Sequence, residues 1–109
     1  MSSPTQRSLD RLRELGYTAQ VVEHWNPHAR IRQDLFGCID IVAVKSGESG
    51  VLGVQATTTG NIPKRLAKAV LEKRICAWLD AENRFEVWGW AKRGPRGKRK
   101  VWTLKVVPL

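Results

Sequence analysis

The sequence predicts an α/β fold, because helical and strand patterns alternate along its 109 residues. Apolar residues recur at helical spacing in two segments, 4–15 and 62–81. Wholly apolar or alternating segments predict strands at 17–25, 35–45, 50–58, 84–91 and 101–107. The predicted order is one helix, three strands, one helix and two strands. The length is that of one domain, residues 1–109.

Both predicted helices have boundary signals. Ser3 is the predicted N-cap of the first helix, Pro4 occupies its first position and Gly16 stops it. A break at residues 59–61 precedes the second helix, and Pro63 fits its first turn. Each helix has one apolar and one charged face, so we expect both to pack against the strands.

The charge balance predicts a polyanionic partner. The formal net charge is +9 and the isoelectric point about 10.3, and nucleic acid is the commonest partner of such a protein. A basic ribosome-associated or membrane-surface protein would have the same charge. No apolar run reaches the roughly 18 residues that a membrane span needs, so we expect no membrane association and a cytoplasmic location.

Cys38 and Cys76 lie among apolar residues without metal-ligand spacing, and we predict reduced core thiols. The five tryptophans are expected in the core rather than in base-stacking positions. Residues 26–34 show no periodicity and predict a basic loop. Its His28 is expected to be an exposed side chain, with a catalytic role as the alternative.

Polar residues interrupt two of the apolar strands. Asp40 stands within the nearly wholly apolar segment 38–44, and Gln55 follows the apolar run 51–54. Gln55 and Thr57 share one strand face, so a hairpin that sets them opposite Asp40 brings an acid, an amide and a hydroxyl together. A buried carboxylate is costly unless it is paired or binds a cation, so this pattern predicts a site. The alternatives are a buried acid paired with an arginine and ordinary strand-end polarity.

The segment between the last two strands, residues 92–100, is mostly basic, and its glycines and proline indicate a hairpin tip. We call this segment the basic finger. It suits phosphate contacts, which hold a protein on nucleic acid without reading sequence. A solubilising turn is the alternative. The candidate DNA-binding residues are Lys92, Arg93, Arg96, Lys98, Arg99 and Lys100 of the finger, together with Arg30, Arg32, Arg65 and Lys68.

The stretch from Asp34 to Ile41, the hairpin after it, the segment Gly53–Thr57 and the following basic helix resemble the PD-(D/E)xK nuclease superfamily. The most similar members are small phage and archaeal Holliday-junction-resolvase-like and VRR-type nucleases. The resemblance implies a restriction-endonuclease-like core of αβββαβ order, with a mixed sheet flanked by helices and an extra C-terminal strand. It further implies a Mg²⁺- or Mn²⁺-dependent DNA endonuclease acting on branched or structured DNA, with a homodimer as the expected assembly. If the protein is phage-encoded, it acts in the host cytoplasm.

The resemblance also assigns site residues. Asp40 matches the metal-binding acid of the second strand, and Gln55 takes the place of the acid in the ExK motif. Thr57 stands where that motif has its lysine, which is a departure. Lys64 on the following helix is the predicted source of the missing ammonium group, with Arg65 and Lys68 as rivals.

Resolvase-like members carry a glutamate early in the first helix, where this chain has Thr5-Gln6. Asp34 or Glu14 is expected to compensate for its loss. The predicted metal ligands are Asp40, Asp34, Gln55 and the backbone carbonyl of Ala56. Two rival functions remain open: a catalytically inactive nucleic-acid-binding protein of the same fold, and a small basic phage accessory protein that acts through protein contacts.

Overall fold

A five-stranded mixed sheet lies at the centre of the molecule. The computed structural model describes residues 3–109. The helices are α1 (Pro4–Glu14), α2 (Ile62–Leu71) and α3 (Lys73–Asp80), and the strands are β1 (Thr18–Val21), β2 (His24–Asn26), β3 (Ile31–Gln33), β4 (Ile41–Val44), β5 (Leu52–Thr58), β6 (Arg84–Arg93) and β7 (Val101–Pro108). The sheet order is β1-β4-β5-β6-β7, with β5 and β6 parallel and the other neighbours antiparallel. The predicted α/β class is confirmed, and β7 is the extra C-terminal strand at the sheet edge.

Local sequence determines where α1 begins and ends. The Ser3 Oγ accepts a hydrogen bond of 3.1 Å from the Gln6 N–H, as predicted for the N-cap. The helix ends at Glu14, and Gly16 has a φ of +91°, a left-handed conformation that favours glycine.

Two apolar cores lie on opposite faces of the sheet. On one face, Leu9 and Leu12 of α1 pack with buried residues of β4, β5 and β6. On the other face, Ile62, Ala69 and Ile75 of α2 and α3 pack against β6 and the segment before β4. The predicted flanking of the sheet by helices is therefore confirmed. Among residues 3–109, no helix has the length and apolar character needed to cross a membrane.

Successive side chains of β5 point to opposite faces of the sheet, and this alternation shows which of the two cores its polar residues face. Val54 belongs to the core on the α1 side. Gly53 lies against Ile39, which belongs to the core on the α2–α3 side. Gln55 and Thr57 continue the same alternation as Gly53, so their side chains face α2 and α3, and both residues are buried.

The predicted single helix at 62–81 is wrong, because a break at Glu72 divides it into α2 and α3. Glu72 has extended backbone angles (φ −88°, ψ 112°), and its carboxylate accepts a hydrogen bond of 3.1 Å from the Arg74 N–H, which caps α3. Apolar spacing continues across the break, so periodicity carries no signal of it. Val70 and Leu71, expected on the apolar face, are exposed at the end of α2.

The predicted strand 17–25 and loop 26–34 are also corrected. The chain leaves the central sheet after Val21 and forms a separate two-stranded hairpin of β2 and β3. Asn26 begins the hairpin turn, where its Oδ1 accepts two backbone N–H hydrogen bonds of 3.0 and 3.2 Å. Both strands are too short and too exposed to show a periodic apolar pattern.

Three further predictions need correction. The strand predicted at 35–45 is shorter, because a tight turn precedes β4. Cys38 is buried, and burial raises the pKa of its thiol, but Cys76 is exposed and is not a core residue. Trp25 and Trp102 are also exposed, at 55% and 42% of their surface, so not all tryptophans lie in the core.

Gly89 of β6 allows the segment after β5 to lie close to the sheet. A Cβ at this position would clash with Ile62 and would lie 2.9 Å from the Thr59 Cα. We expect Gly89→Ala to lower the free energy of unfolding by about 1–3 kcal/mol, because backbone atoms must shift to accept the methyl group. Urea unfolding followed by tryptophan fluorescence measures the change.

Gly60→Ala is the matched control, since nothing lies within 4 Å of a Cβ at Gly60. We expect its stability to stay within about 0.5 kcal/mol of wild type. Equal stabilities of the two variants would contradict the close packing at Gly89.

Candidate metal centre and nucleic-acid interface

Three acidic side chains converge where the β2–β3 hairpin joins the central sheet. Glu23, Asp34 and Asp40 each place a carboxylate oxygen within 4.8 Å of the others. Asp40 is buried, and the other two are half-buried. We call these three residues the acidic cluster. Their separation allows one small divalent cation to contact all three carboxylates.

The register of the hairpin brings Glu23 to Asp34. His24 pairs with Gln33 in the β2–β3 ladder. Continuing this antiparallel register by one residue sets Glu23 opposite Asp34. The two residues that flank the hairpin are therefore cross-strand neighbours.

A tight turn brings Asp34 to Asp40. Leu35 and Ile39 exchange two backbone hydrogen bonds of 2.9 Å, and the residues that flank this pair, Asp34 and Asp40, face each other. Phe36 at the tip of the turn has a φ of +55°, which is uncommon for a bulky side chain. Strained backbone of this kind concentrates at functional sites.

Asp40 connects three strands. Its N–H donates to the Val54 carbonyl at 2.9 Å, and its carbonyl accepts from the N–H groups of Val22 and Glu23 at 2.8 and 3.3 Å. Two consecutive N–H groups on one carbonyl form a β-bulge, which bends the strand and re-aims the neighbouring side chains. The Asp40 Oδ2 accepts a further hydrogen bond of 2.9 Å from the Ala56 N–H. The carboxylate is thereby held in one orientation.

The surroundings of Asp40 oppose its ionisation. Burial is the largest cause that raises the pKa of Asp40 from 3.8 to about 8. The charge of Asp34 and hydrogen bonding with its carboxyl act in the same direction, and the Ala56 N–H acts in the opposite one. A bound cation would reverse this preference, because positive charge favours the ionised carboxyl.

Gln55 lies between the two β5 residues that hydrogen-bond to Asp40, Val54 and Ala56. Ile41 pairs with Val54 in the β4–β5 ladder, and the Asp40 N–H donates to the Val54 carbonyl, so the ladder register does not continue to an Asp40–Gln55 pair. Gln55 is 2% exposed, and its Oε1 has no hydrogen-bond partner within residues 3–109. Carboxylate and amide oxygens are ligands that Mg²⁺ accepts, so the residues present fit this ion.

Further unpartnered polar atoms lie along the chain after Gln55. The Thr59 Oγ1 and the Arg65 Nε are also buried without a partner in the described part of the chain. Thr57, between them and Gln55, is buried as well. Buried polar atoms are normally satisfied by protein groups, ordered water or ions. The polar region therefore extends from the acidic cluster towards α2.

Two cavities flank the acidic cluster. The smaller, of about 350 Å³, is lined by Glu23, Arg32 and the first turn of α1. The larger, of about 450 Å³, is lined by Asp34, Lys68 and Arg74 among others. Arg32 lines both cavities and pairs with the Glu23 carboxylate at 3.0 Å. Arg32, Lys68 and Arg74 therefore line the cavities beside the carboxylates.

The lysine candidates occupy different places on α2. Lys64 is exposed, and it is not among the described residues that line the two cavities. Arg65 is half-buried, whereas Lys68 lines the larger cavity together with Asp34. Glu14 lies near the far end of α1, 3.8 Å from Arg11, and does not join the acidic cluster. Of the predicted candidates, Lys68 and Asp34 therefore lie in the larger cavity, whereas Lys64 and Glu14 do not line it.

The basic finger lies near the N-terminal part of α1. Residues 92–100 are exposed apart from their backbone pairing at Lys92 and Arg93. The Arg7 guanidinium and the Lys92 ammonium lie 3.5 and 5.3 Å from the centre of the Trp102 ring. Because the first turn of α1 also lines the smaller cavity, α1 connects the finger with the acidic cluster. Arg30 is exposed in the hairpin turn.

Sequence reasoning missed Glu23 and Arg74. Glu23 lies at the end of a predicted strand, where a charged residue is common, and only the bulge and the hairpin register bring it to Asp34. In the sequence, Arg74 did not differ from the other charged residues on the polar face of the predicted helix. Its position in the larger cavity depends on the break at Glu72.

No protein-family model, curated protein or solved structure matches this chain. The geometry of the site is therefore the basis for its interpretation.

The raised pKa of Asp40 predicts a specific pH dependence. Between about pH 4 and pH 8 the folded protein keeps a proton that the unfolded chain releases, so metal-free stability falls as pH rises through this window. Asp40→Asn removes the buried charge. We expect this variant to melt about 5 °C or more above wild type at pH 8.5 in EDTA, and close to wild type at pH 4.5.

Melting curves at both pH values, read by circular dichroism, measure the difference. Asp80→Asn, at an exposed acid at the end of α3, is the control and should show no pH-dependent gain. A difference between Asp40→Asn and wild type that is the same at both pH values would contradict the burial of an ionisable group.

Proposed function

We propose that this protein is a metal-dependent endonuclease that hydrolyses phosphodiester bonds in DNA, with the restriction-endonuclease-like core of the PD-(D/E)xK superfamily. One observation carries the proposal: the carboxylates of Glu23, Asp34 and Asp40 converge, with the buried and unpartnered Gln55 side chain on the adjoining strand, in a protein whose net charge is +9. A cation site among basic surfaces is the arrangement that phosphodiester hydrolysis requires.

The order of elements supports this proposal. Without the β2–β3 hairpin, the chain runs through α1, three antiparallel strands, a helical segment and β6, which is parallel to β5. Asp40 directly precedes the second strand of this core, and Gln55 lies on the third. These are the places of the acidic residues in the superfamily motif.

Each residue of the site has a proposed role. Asp40, Asp34 and Glu23 would hold Mg²⁺ or Mn²⁺, with Gln55 as a neutral oxygen ligand. When bound, such an ion lowers the pKa of a water molecule and neutralises charge on the phosphate. The Ala56 N–H keeps the Asp40 carboxylate in place. Arg32, between the two cavities, stabilises negative charge on the phosphate oxygens.

The preference for branched or structured DNA is proposed from the resemblance to Holliday-junction-resolvase-like nucleases. The same resemblance supports a homodimer, because a second copy would supply a second site for the opposite DNA strand. These two proposals concern the DNA substrate and the assembly of the protein, and neither changes the chemistry proposed at Asp40.

A second candidate function is binding of DNA without cleavage. Thr57 stands at the motif lysine and carries no charge, and Lys64 lies outside the two cavities beside the acidic cluster. If Lys68, which lines the larger cavity with Asp34, does not reach the attacking water, the site has no ammonium group there and would be slower or inactive. In that case the basic surfaces would bind DNA, and the acidic cluster would only bind a cation.

Cleavage assays decide between these functions. We expect the wild-type protein to cut labelled four-way junction, flap, duplex or single-stranded DNA with Mg²⁺ or Mn²⁺ and not with EDTA. Asp40→Asn and Glu23→Gln should each lower the cleavage rate by about 100-fold or more, because each removes a charge that holds the cation.

Asp80→Asn, an exposed acid away from the acidic cluster, is the control and should retain wild-type cleavage. Salt-sensitive DNA binding without cutting of any substrate would favour the binding function. Weak binding that does not respond to salt would exclude both and would point to an accessory role through protein contacts.

The basic finger predicts a salt effect. Replacing Arg96, Lys98, Arg99 and Lys100 with alanine should weaken DNA binding and flatten the slope of log affinity against log salt by roughly 3, because each lost phosphate contact reduces counterion release by almost one ion. Fluorescence anisotropy at several salt concentrations measures this slope.

The double variant Lys73→Ala/Lys105→Ala is the control for general loss of charge, since both lysines are exposed and lie outside the finger. An unchanged slope in the finger variant would remove the finger from the DNA interface.

A further inference from the structure

The larger cavity beside the acidic cluster has the geometry of a second anion site. Its volume is about 450 Å³, with Ile31 of the hairpin on one side and Lys68 and Arg74 on the helical side. Asp34 belongs both to the cavity lining and to the acidic cluster. A group bound in the cavity therefore lies next to any group held at the cluster.

Lys68 provides the free positive charge of this cavity. The two other cations of the lining are already paired, Arg32 with Glu23 at 3.0 Å and Arg74 with Glu72 at 2.7 Å. Lys68 forms no ion pair within residues 3–109. Its ammonium group is therefore available to an anion.

Arg74 is held in position by its neighbours. Glu72 accepts hydrogen bonds from both the backbone N–H and the guanidinium of Arg74, and the Phe36 ring lies 5.8 Å from the guanidinium carbon. A guanidinium has five N–H donors, so the pair with Glu72 leaves donors for a second partner. A Cβ at Gly37 would lie 3.6 Å from this guanidinium, an ordinary van der Waals distance, so Gly37 lies directly beside the Arg74 side chain.

We propose that this cavity binds a phosphate group of the nucleic acid next to the phosphate held at the acidic cluster, with Lys68 as its main contact and Arg74 as the second. The identity of the ligand rests on the proposed function. A phosphate accepts hydrogen bonds from an ammonium and a guanidinium at once. The side chain of Ile31 provides an apolar surface against which the attached sugar can pack. The phosphate is either internal to the strand or at its 5′ end.

Oligonucleotides with single neutral methylphosphonates test this site. Binding is measured in the Asp40→Asn protein by fluorescence anisotropy, so that no strand is cut, with one methylphosphonate moved along the strand. We expect one position at which neutralisation weakens binding by about tenfold, the effect of one charge-assisted hydrogen bond. Adding Lys68→Ala should cause a similar loss and abolish the sensitivity at that position.

Lys68→Arg should keep the sensitivity, because the charge remains. Lys73→Ala, at an exposed lysine that does not line the cavity, is the matched control and should behave like the parent protein. Strands with a 5′-phosphate or a 5′-hydroxyl distinguish a terminal from an internal phosphate: only a terminal site loses about tenfold with the hydroxyl.

A Lys68→Ala protein that keeps the parent's sensitivity at every position would overturn the proposal, and melting curves would first establish that the variant is folded. The outcome is separate from that of the proposed function. If the wild-type protein cleaves DNA but Lys68→Ala leaves the methylphosphonate sensitivity unchanged, the phosphate site in the cavity is rejected and the nuclease function is retained. If Lys68→Ala abolishes the sensitivity but the wild-type protein cuts no substrate, the phosphate site is retained and the nuclease function is rejected.

Discussion

The hydrogen bonds of Asp40 hold together the part of the molecule on which the site depends. Its carbonyl accepts from the bulge after β1, and its N–H and carboxylate bind β5 at Val54 and Ala56. One residue therefore determines how three chain segments meet. Because the backbone is fixed on both sides, the side chain stays buried, and burial raises the pKa of its carboxyl to about 8.

Acidic and basic side chains lie side by side around this point. The whole protein has a formal net charge of +9. Glu23, Asp34 and Asp40 form the acidic cluster, and Arg32, Lys68 and Arg74 line the larger cavity beside it. A positive surface attracts a polyanion, and a buried group of carboxylates selects a cation. The two features together suit a ligand that carries both phosphates and a bound metal ion.

Much of the fold was predictable from the sequence, but the geometry of the site only partly so. Helix caps and strand alternation act over a few residues, and they identified α1, β5, β6 and β7. Asp40 bonds to both β5 neighbours of Gln55, Val54 and Ala56, whereas a direct contact between Gln55 and Asp40 stays a prediction. Glu23 was missed, because a bulge and a three-residue strand decide its position. The break at Glu72 was missed, because a side-chain cap replaces the usual glycine or proline signal.

The β2–β3 hairpin begins and ends at two residues that face each other, Glu23 and Asp34. A segment whose ends already meet can change in length or sequence without displacing the chain on either side, since the cost of closing a loop rises slowly with its length. The hairpin is thus an exchangeable module on a fixed acidic cluster. Recognition can diversify there while the carboxylates keep their places.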